Sequence, residues 1–118
     1  MSRIHLALAA AAVALAVAVA PALAAPPKLV GTVGPGFTIT LTKGGKKVKT
    51  LKAGKYTIAI RDKSDIHNFH LKGPGLNKTT SVSFVGNKTW TVTLKAGTYK
   101  YLCDPHASAM KGSFKVTS

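Results

Sequence analysis

Cys103, His106 and Met110 stand close together in the run Gly97-Thr-Tyr99-Lys-Tyr101-Leu-Cys103-Asp-Pro-His106-Ala-Ser-Ala-Met110-Lys-Gly112. Two further imidazoles lie upstream, in Asp65-Ile66-His67-Asn68-Phe69-His70-Leu71. A thiolate, two imidazoles and a weak thioether make a donor set suited to copper that passes between two oxidation states. Soft sulfur suits Cu(I), imidazole suits both states, and a constrained trigonal plane leaves little to rearrange when an electron arrives. Taken singly, Cys103 reads as a small buried thiol and Met110 as a core side chain. Their company changes both readings.

The choice between the upstream histidines rests on strand periodicity. If Phe69 and Leu71 point into a core, His67 shares their face and His70 points outward as a solvated surface residue. His67 is therefore the expected ligand. A zinc site of one cysteine and three histidines would recruit His70 and leave Met110 unused, so it is disfavoured. The lone cysteine excludes an internal disulfide framework, and an intermolecular disulfide is the remaining alternative.

These residues need rigid elements to hold them. After residue 25 the pattern is alternation rich in β-branched and aromatic residues, broken by Gly, Pro, Asn and Asp. It predicts strands at Lys28–Val33, Phe37–Thr42, Lys47–Leu51, Tyr56–Arg61, Phe69–Lys72, Ser81–Val85, Thr89–Leu94, Thr98–Cys103 and Gly112–Thr117. Turns are expected at Gly34-Pro35-Gly36, Gly44-Gly45, Gly73-Pro74-Gly75 and Gly86-Asn87. Strands this short and numerous imply an all-β, antiparallel Greek-key β-sandwich. The inward stripes are Phe37, Ile39 and Leu41; Tyr56, Ile58 and Ile60; Val82 and Phe84; and Trp90, Val92 and Leu94. Leu51-Lys-Ala-Gly54-Lys-Tyr56 and Leu94-Lys-Ala-Gly97-Thr-Tyr99 repeat one motif. They are expected to be equivalent corners between sheets, each tyrosine bonding back to backbone.

With those residues in view, the chain from residue 25 resembles the cupredoxins, small blue copper proteins of the plastocyanin, pseudoazurin and amicyanin kind. The resemblance is carried by G-x-Y-x-Y-x-C-x-P-H-x-x-x-M-x-G and by the His67-Asn68 pair. It implies one copper ion bound strongly by His67, Cys103 and His106 and weakly by Met110, with the Asn68 backbone N–H donating to the cysteine sulfur. It also implies a monomeric type 1 copper electron carrier and no enzyme, the electron crossing at His106 among Gly36, Pro105, Ala107 and Ala109. The spacing from His106 to Met110 is one residue shorter than is usual in plastocyanins and one longer than in amicyanins. Leu102 stands where plastocyanins often present an exposed tyrosine, so a second docking route of that kind is not expected. A copper buffering or delivery protein uses the same ligands, and a copper-free adhesion module is a third reading. Three histidines after the leader are too few for the trinuclear centre of a multicopper oxidase.

Composition bounds the remainder. The chain has 118 residues, 17 Lys plus Arg against 3 Asp, and a formal charge of +14. Residues 1–24 read as a cleavable secretory signal peptide: basic Arg3, an apolar run from Leu6 to Ala20, then Ala22-Leu23-Ala24. The copper-binding domain is then 25–118, exported to a periplasm, cell surface or medium, with no transmembrane segment after cleavage. The charge points to acidic redox partners or an anionic cell surface. Nucleic acid fits the charge but is not the expected partner, because the run Lys43, Lys46, Lys47, Lys49, Lys52 and Lys55 has no interleaved aromatics and export argues against it.

Overall fold

Alternation with a period of two dictates strands, and in the computed structural model, which describes residues 24–118, ten form. In chain order they are β1 (Lys28–Val33), β2 (Ile39–Lys43), β3 (Lys46–Lys47), β4 (Thr50–Lys52), β5 (Gly54–Asp62), β6 (His70–Gly73), β7 (Leu76–Thr79), β8 (Gly86–Leu94), β9 (Gly97–Leu102) and β10 (Lys111–Thr117). A 3-10 turn at Asp104–His106 interrupts them. The leader expected over 1–24 falls, except for Ala24, outside the described residues. No helix among the described residues is long and apolar enough to cross a membrane.

The strands make two five-stranded sheets, ordered β3-β2-β1-β5-β8 and β4-β10-β9-β6-β7. Most strand pairs are antiparallel, as expected, and two are not. β1 runs parallel to β5, and β4 runs parallel to β10. The cause is the Lys47–Leu51 segment, which is two strands in different sheets. β3 closes a hairpin on β2, and the chain then crosses to lie along β10 as β4.

Between the sheets lie Leu29, Val33, Leu41, Ile58, Ile60, Phe69, Leu71, Leu94, Tyr99, Tyr101, Phe114 and Val116, all buried. Phe69 stacks on Tyr101 at 5.9 Å and Tyr99 on Phe114 at 5.3 Å between ring centroids. The inward assignments of Phe37, Val82 and Phe84 fail, Phe84 being only partly buried and outside the core cluster. Phe37 is 61% exposed, because β2 starts only at Ile39 and the alternation does not extend back into the loop. Val82 is exposed, and Ser81–Val85 forms no strand. Gly86-Asn87, read as a turn, instead opens β8, and the polar β7 takes the vacant edge beside β6.

The repeated motif behaves as expected. Both copies sit where the chain changes sheet, β4 to β5 and β8 to β9. Gly54 and Gly97 have φ of 148° and 142°, a region that favours glycine. The Tyr56 hydroxyl donates to the Lys52 carbonyl at 2.7 Å. The Tyr99 hydroxyl donates to the Pro74 carbonyl at 2.9 Å and accepts from the Lys95 N–H at 3.0 Å.

Candidate metal centre

The ends of β5 and β9 and the starts of β6 and β10 define one end of the sandwich, and the chemistry-bearing residues collect there. Cys103 follows β9 directly. Pro105 cannot continue a sheet ladder, so the chain turns through the 3-10 segment. The loop then binds itself. The His106 N–H donates to the Cys103 carbonyl at 3.1 Å, the Met110 N–H to the His106 carbonyl at 2.8 Å, and the Cys103 N–H to the Met110 carbonyl at 3.0 Å. Met110 and Cys103 are both fully buried.

His67 arrives from the connection between β5 and β6, which changes sheet. It has no exposed surface. Its Nδ1 lies 3.1 Å from His106 Nδ1 and 3.7 Å from Cys103 Sγ, and His106 Nδ1 lies 3.6 Å from the same sulfur. Three lone-pair donors thus converge on one point from two separate loops. Among the described residues this is the cluster of histidine, cysteine and carboxylate groups able to hold a metal ion.

The neighbouring polar side chains brace the two loops against each other. Asn68 Nδ2 donates to Asp104 Oδ2 at 2.7 Å and to Thr79 Oγ1 at 3.0 Å, while the Asp104 N–H donates to Asn68 Oδ1 at 2.7 Å. The bonds the structure gives Asn68 are therefore made by its side chain. The Phe69 N–H donates to Thr80 Oγ1 at 2.9 Å and ties in the start of the β7–β8 connection.

His70 is not the solvated residue that its outward direction suggested. Only 17% of its side chain is exposed, with Nδ1 at 2.9 Å from Asp104 Oδ1 and Nε2 in contact with Asn77 Oδ1. β7, which the sequence did not reveal, supplies Asn77 and covers it. Burial pulls the His70 pKa down, but the hydrogen bonds to Asp104 and Asn77 outweigh it and the net shift is upward. Burial pushes Asp104 up, and its bonds to His70 and Asn68 carry it below the usual carboxylate value.

Phe37 was placed in the core by its alternation, and its real position is the principal site feature missed. Its ring meets His67 edge-on at 5.3 Å and His106 at 4.8 Å between centroids. It lies over the centre while remaining exposed. Gly34-Pro35-Gly36 gave the signal available in sequence, since a loop of that composition ends a strand before Phe37. Asp62, buried at the end of β5, is the other residue missed. Burial raises its carboxyl pKa, against an opposing bond from the Ser64 N–H and the charge of nearby His67.

A family model described as copper binding proteins of the plastocyanin/azurin family matches residues 37–117. The chain belongs to that family. Among solved structures it resembles a methionine-to-glutamine variant of rusticyanin, with 26% identity, a TM-score of 0.57 and 76% of each chain covered. Reduced rusticyanin gives 26% identity and a TM-score of 0.55 over 76% of this chain and 78% of that one. A Cu(I) amicyanin variant, at 18% identity and a TM-score of 0.51 over 77% and 83% of the two chains, shares the fold. No curated protein sequence matches the chain.

Copper, which this family binds, fits the donors present. The circle through three atoms spaced 3.1, 3.6 and 3.7 Å apart has a radius of about 2.0 Å, close to the ~2.0–2.3 Å at which imidazole and thiolate bind a first-row ion. Converging lone pairs in a dry site repel unless a cation or proton lies between them. One thiolate and two imidazoles form the trigonal set that copper accepts in both oxidation states.

Proposed function

We propose that the protein is an exported, mononuclear type 1 copper electron carrier whose ion would be held by His67 Nδ1, Cys103 Sγ and His106 Nδ1, with Met110 as a weak fourth ligand. The observation that carries this reading is the convergence of those three atoms, from two loops, at the spacing of a trigonal copper site. Copper held there would supply a centre that gains and loses one electron.

The protein's own residues do the rest. Cys103 and His67 are withheld from water, which excludes competing ligands and the reorganisation that mobile water brings. The backbone bonds within Cys103–Met110 and the Asn68–Asp104 bridge fix the loops, so the donors need not move between oxidation states. His106 is half-buried and gives the electron its way out, beside exposed Pro105, Ala107 and Ala109. The burial of Cys103, His67 and Met110 favours retention of the ion, and with it carriage over copper delivery. On this reading the protein passes electrons between partners, catalyses no conversion itself, and works outside the cytoplasm as the leader implies.

The test is the visible spectrum of the copper-loaded protein. An intense cysteine-to-copper charge-transfer band is expected, bleached on reduction and absent from Cys103→Ala. A colourless wild type, or an unchanged band in the variant, would end this reading. Retention of Cu(I) against a competing chelator is expected as well, and rapid loss would favour delivery.

A further inference from the structure

Outside the metal centre, the outer face of the β4-β10-β9-β6-β7 sheet carries an open cleft of about 630 Å³ lined by Lys47, Lys72, Lys100 and Lys111. Leu102 and Ala107 line it as well. The sheet register builds it. Leu71 and Tyr101 point inward, so their neighbours Lys72 and Lys100 point outward, directly opposite one another on β6 and β9. Lys111 lies opposite Leu102 on β10. Lys47 comes from β3, and of the six lysines between residues 43 and 55 it alone lines the cleft.

Like charges opposite each other on a sheet destabilise it. Here no carboxylate lines the cleft to offset them. The sequence holds three acidic side chains. Asp62 is buried, Asp104 is engaged by His70 and Asn68, and Asp65 lies on the β5–β6 connection. Four ammonium groups are thus left together and exposed. The place is as telling as the charge. Leu102 precedes Cys103 and Ala107 follows His106, so the cleft borders the chain at two of the proposed ligands. A cleft open to solvent and lined by four long cationic side chains suits a protruding surface better than an enclosed small molecule.

We infer that this cleft is the docking surface for a carboxylate-rich face of a redox partner protein. Docking there sets the partner's own centre against Leu102 and Ala107, within a few bonds of Cys103 and His106. The inference rests on the carrier reading for the redox character of the partner, and on the lysines for its charge. Leu102 thereby acquires a docking role. Rim charges of this kind act mainly on the rate of association and are screened by salt.

The test separates the two supports. The copper-loaded, reduced protein is titrated with a deca-aspartate peptide while backbone amide signals are followed by NMR. Shifts are expected to centre on Lys72, Lys100, Leu102 and Lys111 and to fade as salt is raised. The combined substitution Lys72→Gln, Lys100→Gln and Lys111→Gln should weaken binding by roughly tenfold or more, each lost pairing taking its share. The control Lys43→Gln, Lys52→Gln and Lys55→Gln, with equal loss of charge, should change it by less than about threefold, the size of general screening effects. Oxidation of the reduced protein by hexacyanoferrate(III) should slow in the same order. Shifts centred elsewhere, or equal losses in both variants, would overturn the inference. Peptide binding at the cleft by a protein with no charge-transfer band would instead break the carrier reading and leave the basic site standing.

Discussion

At the end of the sandwich where β4 passes into β5 and β8 into β9, Tyr56 and Tyr99 close each corner onto backbone groups. At the opposite end, polar groups face one another. Two imidazole nitrogens and a sulfur converge, and His67 Nε2 and Asp62 Oδ2 are buried without a hydrogen-bond partner. A large aromatic, Phe37, is left in solvent beside them. Both ends are built from connections between the same two sheets. One has satisfied its polar groups locally and holds the sheets together. The other keeps donors free for a ligand, which is a destabilised arrangement until that ligand arrives. The sandwich therefore separates stability from function along its length, and substitutions at the two ends should divide accordingly.

The largest expected effect is at the metal end. Cys103→Ala should abolish the charge-transfer band entirely, yet leave the far-ultraviolet circular dichroism of the metal-free protein unchanged. Removing one buried sulfur costs of order 1 kcal/mol, too little to unfold a stable domain. Loss of the fold in this variant would show that the ligand cluster also holds the sheets together, and the division by ends would be wrong.

The converse applies at the corners. Tyr99→Phe leaves the Lys95 N–H and the Pro74 carbonyl without their shared hydroxyl, and should cost about 1–3 kcal/mol. For a domain of this size that lowers the melting temperature by roughly 4–8 °C per kcal/mol. Tyr56→Phe removes one bond and should cost about 0.5–1.5 kcal/mol. Thermal melts check both values, and neither variant should alter the position of the absorption band. A shifted band in Tyr99→Phe would mean that the corners and the metal centre are mechanically coupled.

Phe37→Ala sharpens the comparison, because it alters the metal end without touching the core. The side chain is mostly in solvent, so stability should change by less than about 0.5 kcal/mol. Removing the ring opens both histidines to water, and a more polar surrounding favours the more highly charged Cu(II). The reduction potential should therefore fall, by less than the ~59 mV that a tenfold change represents for a one-electron couple. Voltammetry measures this directly. An unchanged potential would make Phe37 a docking contact only.

The proposed ligands stand out in the sequence because Cys103, His106 and Met110 lie on one short loop, where spacing alone restricts geometry. His67 followed from the inward phase of Phe69 and Leu71, which the structure retains. The corners were legible because each motif carries its own glycine and tyrosine. What escaped was set by tertiary pairing. β7 is a polar strand with no alternation of its own, and it exists because β6 offers it an edge. The parallel pairings depend on where the chain changes sheet, and nothing local to Lys47–Leu51 announces that crossing. Phe37 shows the limit of periodicity, since alternation does not say where a strand begins.

β7 also accounts for the smallest predicted effect. By covering His70 it turns a surface residue into half of a bonded pair with Asp104. The folded-state pKa of His70 is raised, so its contribution to stability is complete below the unfolded value of about 6.5 and is lost as pH rises through the folded value. Asp104 is shifted down, so its contribution is present above about 3.9 and is lost as pH falls through its lower folded value. Together they place the pair's greatest contribution between about pH 4 and 6.5, and half-exposed Asp104 limits it to under ~1 kcal/mol. Chemical denaturation of wild type and His70→Gln at pH 5.5 and 8.5 measures it. The wild type should hold the larger advantage at the lower pH, and the difference should shrink at the higher one. An advantage equal at both would show that His70 acts by packing under β7 and not by its charge.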